Sequence, residues 1–438
     1  MKSYRSFDPA VLYAGITIVL TVVGVVGVYA TTTYLGRGGF AETLLFYPSD
    51  GMGPFSDGPL TTFGLHRFGD LLLPWMQTVE GNPYLTNTIF RSNYPPFAHL
   101  MLLPFTTLPY KEVVWLYLLA SCLFLVVPLW ASLRGRRFDV RLIVVAAVVG
   151  LSFPLWVTLD RGNIQTVIVG FALLGMLAVQ RGRWMTAALL LAIPGALKVY
   201  PALLLLIFLR ERKWKEFLVS SVSIAALTIV GFVSMAGSPP ENARALWANT
   251  IGFRNAVIDP SVVNHYNISA LAFFQWMRIR SDIFGDRLGE SLELHFQTIA
   301  LVAALGCLLL LMSRLLTRFE ATTLMVLPTL FALELAGAYA LLLLLVPLIF
   351  LFSSGREVAR LEVVTAVLLV AVMAPKAIYF DDTGATLSNI AYPVVEVLIF
   401  LVILLAYATR RFPQFRGNLA AIRVRTQSAF VRWSVRSS

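Results

Sequence analysis

Long apolar stretches alternate with short polar ones along most of the 438 residues, a pattern that predicts an all-α protein crossing a membrane many times. Stretches such as Val113–Trp130 and Leu218–Ser234 are long enough to cross the hydrocarbon layer as helices, which satisfy their backbone hydrogen bonds internally. Several stretches are close to the lower length limit, so tilted or broken helices are expected. We expect about twelve membrane-crossing segments, at residues 11–30, 111–132, 140–158, 164–180, 184–197, 199–209, 215–236, 296–313, 320–334, 337–352, 361–379 and 390–409.

Two large polar segments interrupt this pattern, at residues 31–110 and 237–295. Inside the first, residues 97–108 are apolar but bounded by prolines and too short to span easily, so we expect a re-entrant segment there. The sequence therefore predicts a single transmembrane domain, residues 1–409, followed by a basic tail, residues 410–438.

Composition narrows the possible functions. With 58% hydrophobic and only 13% charged residues, the chain is not a soluble protein. Two cysteines and four histidines, at no metal-ligand spacing, argue against a metal centre, and nothing in the sequence indicates a cofactor. A phosphate-binding loop and a dinucleotide fingerprint are also absent from the sequence, which disfavours a nucleotide-activated substrate.

The distribution of charge predicts the topology. If the N-terminus is cytoplasmic and each apolar stretch crosses, 23 of the 35 basic residues but only 7 of the 24 acidic residues lie inside. This is the positive-inside bias, and it places both termini in the cytoplasm and both large polar segments outside. The apolar stretch after Lys2 and Arg5 is interpreted as an uncleaved anchor rather than a signal peptide. The tail has seven arginines and no acids, and we expect it to lie on an anionic leaflet rather than bind nucleic acid.

Asp70 is the leading candidate for catalysis. It lies in the run Phe68-Gly-Asp-Leu-Leu-Leu-Pro-Trp75, close to Arg67, where partial burial and nearby cations would set its pKa. A carboxylate in such a setting can serve as a general base. The alternative is that Asp70 is simply the N-cap of a helix.

Two cations are candidates for binding a phosphate. Arg161 lies at an outer helix end, where a following helix N-terminus would also favour an anion, although it could instead pair with Asp160. Lys198 lies deep in an apolar stretch, and such residues are functional candidates in membranes, although a lysine can also extend to the interface. Glu334 and Tyr339 lie in a later short polar turn, and they too could either serve the function or simply extend to the interface.

Two further motifs are weaker. Asn267-Ile-Ser269 matches a glycosylation sequon that is expected by chance. Asp381-Asp382 could bind a divalent ion but is more typical of a polar turn.

The order of these motifs resembles glycosyltransferase family 87, of the GT-C superfamily. The matching elements are an early aspartate followed by G-x-P-Y, a Y-P-P, a G-N turn that opens a helix, a K-x-Y-P turn and an N-x-S. In this chain they are Asp70 with Gly81, Pro83 and Tyr84, then Tyr94-Pro-Pro96, Gly162-Asn-Ile-Gln165, Lys198-Val-Tyr-Pro201 and Asn267-Ile-Ser269. The family includes polyprenyl-phosphomannose-dependent mannosyltransferases and arabinofuranosyltransferases of actinobacterial cell envelopes.

The resemblance implies a GT-C fold whose first outer loop contains juxtamembrane helices. It also implies that Asp70 is the base and that Lys198 and Arg161 bind the phosphate of a polyprenyl-phosphate sugar donor. The chain departs from some members of the family, which have a histidine near the position of Glu334. Residues expected to bind substrate are His66, Arg67, Trp75, Tyr84, Tyr94, Asn163, Gln165, Tyr200, Tyr266, Asn267, Ser269, Glu334 and Tyr339.

The sequence therefore predicts an inverting glycosyltransferase on the outer face of a bacterial plasma membrane. It would move mannose or arabinofuranose from the lipid donor to a glycolipid or polysaccharide acceptor. A transporter or flippase of polyprenyl-linked glycans is the first alternative, but its polar residues would be distributed through the spans rather than clustered at outer turns. A transferase of acyl or phosphoglycerol groups is the second, and its usual histidine-based signatures are absent from the sequence.

Overall fold

The computed structural model describes residues 19, 68–86, 91–133, 147, 149–257, 267–334, 336–353, 358–373 and 387–436. Within these ranges all regular secondary structure is helical, apart from one isolated antiparallel bridge between Asn267 and Gly337. The α-helices are α1 (Gly69–Val79), α2 (Pro96–Leu102), α3 (Tyr110–Leu133), α4 (Phe153–Arg161), α5 (Gln165–Gln180), α6 (Trp184–Leu197), α7 (Leu206–Arg210), α8 (Trp214–Val233), α9 (Pro239–Val257), α10 (Ala270–Ile279), α11 (Ser281–Phe284), α12 (Asp286–Leu294), α13 (Phe296–Leu311), α14 (Arg318–Phe331), α15 (Leu345–Ser353), α16 (Arg360–Met373) and α17 (Leu387–Arg436). Short 3-10 helices cover Leu103–Phe105, Tyr200–Leu205 and Ala338–Leu344.

Three of the described helices are long and apolar enough to cross a membrane: Tyr110–Ser132 of α3, Trp214–Val233 of α8 and Asn389–Phe412 of α17. A fourth span is possible if α12 and α13, which meet at a bend of 63°, are taken together. The predicted all-helical membrane protein is confirmed at this level. Apart from Val19, the first predicted span lies outside the described residues, as do all of residues 31–67.

The broken spans follow from helix-breaking residues. α6 ends at Leu197, and a 3-10 helix begins at Tyr200, with proline at its second position. The predicted spans 320–334 and 337–352 are separated by a similar break, because α14 ends at Phe331 and another 3-10 helix begins at Ala338. The predicted re-entrant segment consists of the seven-residue helix α2 and the adjoining 3-10 helix.

The core surrounds α5, which is buried along most of its length because almost every residue is apolar or small. It packs against α3, α6 and α15. By contrast, α3 and α8 have large apolar side chains that are exposed, among them Trp115, Leu119 and Val222. Such surfaces are expected to face lipid.

The start of α14 is fixed by a helix cap and by an ion pair whose carboxylate is buried. Thr317 caps α14 in a reciprocal capping box with Glu320. The Glu320 side chain is 1% exposed, and Arg410 of α17 donates to both of its oxygens, with Nη2 2.9 Å from Oε1. Since a buried carboxylate without a partner is costly, this pair fixes α17 against α14.

Candidate active site

Asp70 lies in the first turn of α1, a helix that begins immediately after a residue in the left-handed backbone conformation. Phe68, the N-cap of α1, has φ 56° and makes no side-chain cap. Its carbonyl oxygen accepts a hydrogen bond of 3.0 Å from the Tyr110 hydroxyl. Asp70 is therefore not the N-cap, and its carboxylate is directed towards residues at the C-terminal end of α4.

The carboxylate of Asp70 is bound by a guanidinium and an amide. Arg161 Nε lies 3.2 Å from Oδ1 and 3.1 Å from Oδ2, and Arg161 Nη2 donates to Oδ1 at 2.9 Å. Asn163 Nδ2 donates to Oδ2 at 2.7 Å. The side chains of Asp70 and Arg161 are each 16% exposed, so this is a partly buried, forked ion pair. Arg161 pairs with a residue 91 positions earlier in the chain.

Gly162 makes this pairing possible. It ends α4 in the left-handed region, with φ 69°, and the turn places Arg161 and Asn163 on the side of α1. A Cβ at this glycine would lie 2.8 Å from Cβ of Leu71 and 3.0 Å from Cβ of Phe68, so α1 packs directly on the turn. Only glycine satisfies both the backbone conformation and the close approach.

Asn163 connects the carboxylate to Lys198. Its Oδ1 accepts from the backbone N–H of Gln165 at 3.2 Å and from Lys198 Nζ at 3.0 Å. With its oxygen occupied by two donors, the amide must present its NH₂ group to Asp70. Asn163 is fully buried, so in this state it positions the two charged groups on either side of it.

Lys198 lies against two aromatic rings. Its Nζ lies 4.4 Å from the ring centroid of Tyr339 and 5.7 Å from that of Tyr94, within the range of cation–π contacts. Burial lowers the pKa of Lys198 from 10.5 to about 8, against the opposing effect of the nearby Asp70 charge. At neutral pH Lys198 is therefore still mostly an ammonium, and it loses its charge at a lower pH than an ordinary lysine.

Asp70 is ionised in the same environment. Burial alone would raise the pKa of Asp70, but Arg161, the Asn163 amide and Lys198 together hold it below its ordinary value of 3.8. One carboxylate and two cations leave this cluster with one net positive charge, which suits an anionic substrate.

Gln165 and Tyr200 form a hydrogen-bonded pair next to Asn163. The Tyr200 hydroxyl donates to Gln165 Oε1 at 2.5 Å, and Gln165 is fully buried. Among the described residues Gln165 Nε2 has no hydrogen-bond partner, although it is inaccessible to solvent. A buried donor in this state is available to an oxygen of a ligand or a water molecule.

Trp75 and Tyr84 make hydrogen bonds within the first large polar segment. The Trp75 indole donates to the carbonyl oxygen of Phe105 at 3.2 Å. Tyr84 is fully buried, and its hydroxyl donates to the carbonyl oxygen of Tyr94 at 2.9 Å. Their predicted contacts with sugar rings stay predictions.

A second polar cluster surrounds Asn267. Asn267 Nδ2 donates to the Glu334 carbonyl oxygen at 2.6 Å, while its Oδ1 accepts from the backbone of Ser269 at 3.1 Å and of Ala336 at 3.0 Å. From α17, the side chain of Asn389 donates to the Asn267 carbonyl oxygen. Asn267 and Ser269 therefore shape the turn that precedes Tyr339 and are buried within it.

The carboxylate of Glu334 faces outwards from that turn. It accepts from both Arg254 Nε and Nη2, the latter at 3.0 Å, and from Gln297 Nε2 at 3.0 Å. Arg254 belongs to α9, in the second predicted outer segment. Glu334 thus belongs to a separate, more exposed cluster from Asp70, and the two are connected through the turn to Tyr339.

No sequence pattern marks the role of His99, a buried histidine of α2 that bonds a residue of α1. His99 is 1% exposed, with Nδ1 2.8 Å from Thr78 Oγ1 and Nε2 2.7 Å from Ser92 Oγ. Since the Thr78 hydroxyl donates to the Pro74 carbonyl oxygen, it must accept from His99, which joins α1 to the segment before Tyr94. Arg254, Gln297 and Asn389 were also missed, because no local pattern marks them.

Three predicted site residues, His66, Arg67 and Tyr266, lie outside the described residues, as do Asp381 and Asp382. In the part of the chain that is described, no three or more histidine, cysteine, aspartate or glutamate side chains come together in a way that could hold a metal.

Comparison with known proteins points to one family. The sequence model of glycosyltransferase family 87 matches residues 93–333, more than half of the chain. A segment of 124 residues is 32% identical to the polyprenol-phosphate-mannose-dependent alpha-(1-2)-phosphatidylinositol pentamannoside mannosyltransferase of Mycolicibacterium smegmatis. That segment covers 28% of this chain and 30% of the relative. No solved structure matches the chain significantly.

Proposed function

The chain belongs to glycosyltransferase family 87, and from this premise we propose that it transfers a sugar from a polyprenyl phosphate to a glycolipid or polysaccharide acceptor. The reaction inverts the anomeric centre and takes place at the outer face of a bacterial plasma membrane. Mannose is the first choice of sugar, because the relative from Mycolicibacterium smegmatis is named as dependent on polyprenol-phosphate-mannose. Arabinofuranose is the alternative.

The observation that carries the proposal is the cluster of Asp70, Arg161, Asn163 and Lys198. An ionised carboxylate lies within hydrogen-bonding distance of a guanidinium and is joined through one amide to an ammonium. A transferase with a lipid-phosphate donor needs these groups: a base for the acceptor hydroxyl and cations for the departing phosphate. The family match covers Arg161, Asn163 and Lys198, whereas Asp70 lies before it.

The mechanism follows from these roles. The acceptor hydroxyl oxygen forms a bond to the anomeric carbon while the bond from that carbon to the phosphate oxygen breaks. The hydroxyl proton passes to Asp70. The polyprenyl phosphate leaves with an additional negative charge, which Lys198 and Arg161 stabilise. Two cations supply charge stabilisation at the phosphate.

The remaining site residues are assigned by their position. Gln165 and Tyr200, which adjoin the cluster through Asn163, are proposed to contact the donor, as are Tyr94 and Tyr339 beside Lys198. The outward-facing cluster at Glu334 is proposed to contact the acceptor.

Topology completes the proposal. We assign about twelve crossings, cytoplasmic termini and an outward-facing site, on the basis of the positive-inside distribution. The polar clusters lie at turns between helices rather than along the spans. That distribution favours a surface enzyme over a flippase of polyprenyl-linked glycans, the second candidate function.

The experiment compares Asp70→Asn with wild type in a purified transfer assay. Short-chain polyprenyl phosphates bearing mannose or arabinofuranose are the donors, and a membrane-lipid extract provides acceptors. Loss of a general base predicts that kcat falls by about 10²- to 10⁴-fold. The matched control is Glu80→Gln, an exposed acid at the end of the same helix, which should retain wild-type turnover. Wild-type transfer rates in Asp70→Asn would exclude Asp70 as the base, and transfer from neither donor would refute the proposed chemistry.

A further inference from the structure

The hydrogen bonds of Asp70 cover both oxygens of the carboxylate that would accept a proton from a substrate. A carboxylate offers about four lone-pair positions. Oδ1 is approached by Arg161 Nε and Nη2, and Oδ2 by Arg161 Nε and Asn163 Nδ2, with all four distances between 2.7 and 3.2 Å. The single N–H of Arg161 Nε is shared between the two oxygens, so three donors cover the carboxylate, and two of them belong to Arg161. In this state the base required by the proposed function is masked.

Only one of the two partners can leave. Asn163 is fully buried, and its Oδ1 is held by the Gln165 backbone and by Lys198, so its NH₂ group is fixed on Asp70. Arg161 is partly exposed, has a long side chain and is followed by the Gly162 turn. A guanidinium binds phosphate with the same forked geometry that it uses for a carboxylate, so a phosphate group can compete for it.

We propose that Arg161 is an exchange switch: it masks Asp70 in the donor-free enzyme and moves to the phosphate of the incoming lipid donor, which frees the base. This proposal rests on the proposed function and adds an order to it. The donor must bind before the acceptor hydroxyl can lose its proton, because only then is the Asp70 carboxylate unmasked.

The exchange also resets the enzyme. After transfer, Asp70 carries the acceptor proton, and Arg161 is bound to the polyprenyl phosphate product. When that product leaves, the guanidinium returns to Asp70 and favours its ionised form, so the proton is released to solvent. Atoms and charges balance over one cycle: the acceptor gains the sugar, the lipid keeps the phosphate and one proton is released.

Binding of a non-reactive product analogue tests the switch without requiring activity. The probe is farnesyl phosphate, titrated against purified full-length protein by calorimetry. In the wild type the probe must draw Arg161 away from Asp70. In Asp70→Asn the guanidinium is no longer held by a carboxylate, so affinity should increase about tenfold, because a hydrogen-bonded ion pair is worth ~1.5 kcal/mol or more.

Removing a negative charge could tighten anion binding without any exchange, and a double-mutant cycle separates the two effects. If Arg161 is the switch, the gain from Asp70→Asn disappears in an Arg161→Gln background. If the gain persists there, it is a general charge effect and the switch is refuted. Elution as a single species and an unchanged melting temperature verify folding, and Asp70→Ser replaces Asp70→Asn if the latter does not fold.

The remaining outcomes distinguish this inference from the proposed function. If wild type binds the probe and Asp70→Asn binds it equally well, there is no exchange, while a lipid-phosphate donor remains supported. If no variant, including wild type, binds the probe, the lipid-phosphate donor itself is refuted, and the switch with it.

Discussion

Donor use should depend on pH through Lys198. The pKa of this lysine is lowered by burial to about 8, so in the donor-free enzyme it is protonated below that pH and loses its charge above it. The pH dependence of kcat/KM reports groups of the free enzyme, which is the state that the structure describes. We therefore expect kcat/KM for the donor to be level at neutral pH and to fall above about pH 8.

The size of the fall follows from the protonated fraction. One pH unit above its pKa, only about a tenth of Lys198 is charged, so kcat/KM should decrease about tenfold per unit. Competing titrations lie elsewhere. Asp70, with its pKa below 3.8, stays ionised throughout, and burial keeps the pKa of Tyr94 well above 10.0.

Two variants make the assignment specific. Lys198→Arg keeps a charge that is not lost in this range, so the alkaline decrease should disappear. Lys198→Met removes the charge, and a cation near a phosphate at an effective dielectric constant of about 20 contributes ~3 kcal/mol. The expected loss is about 10²-fold in kcat/KM at pH 7, with no alkaline decrease.

The assay measures initial rates at low donor and saturating acceptor concentrations over about pH 6 to 10. A wild-type profile that stays level to pH 10, or one that Lys198→Arg leaves unchanged, would show that this ammonium does not bind the donor.

Two further predictions concern stability. Gly162→Ala combines a left-handed backbone with a steric clash against α1, so it should lower the stability of the fold by ~1–3 kcal/mol and reduce both the melting temperature and the transfer rate. The control is Gly182→Ala, at φ 70° but with nothing within 4 Å of the added Cβ, which should lower stability less and leave transfer intact. Equal effects of the two variants would contradict the close packing at Gly162. Arg410→Gln leaves the buried Glu320 carboxylate without its cation and should cost ~3 kcal/mol in thermal unfolding, whereas Arg411→Gln, at an exposed position, should cost under ~0.5 kcal/mol. Equal melting temperatures for these two arginine variants would refute the role of the pair.

Much of the fold was readable from the sequence, because membrane helices carry their signal locally. The break at Lys198 and a short helical segment between the prolines were expected from prolines and from length, and both are present; the re-entrant path of that segment stays a prediction. The 3-10 geometry after each break was not predicted, since it depends on how the turn packs against its neighbours. The predicted count of twelve spans remains untested.

The candidate site was only partly predictable. Asp70 and Lys198 stand out because a charge in an apolar context is costly and needs a reason. Their connection does not stand out, because Asn163 joins them only after the fold has brought it to Asp70, 93 positions earlier, and to Lys198, 35 positions later. His99 shows the same limit, because its partners Thr78 and Ser92 are brought to it by the fold.

The junction at Asn267 has a consequence for biosynthesis. Its carbonyl oxygen is bound by Asn389, 122 residues further along the chain, near the start of α17. The segment that contains Asn389 must therefore be synthesised and inserted into the membrane before this hydrogen bond can form. Until then the turn that carries Tyr339 towards Lys198 lacks one of its supports, so maturation of the site waits on the late insertion of α17.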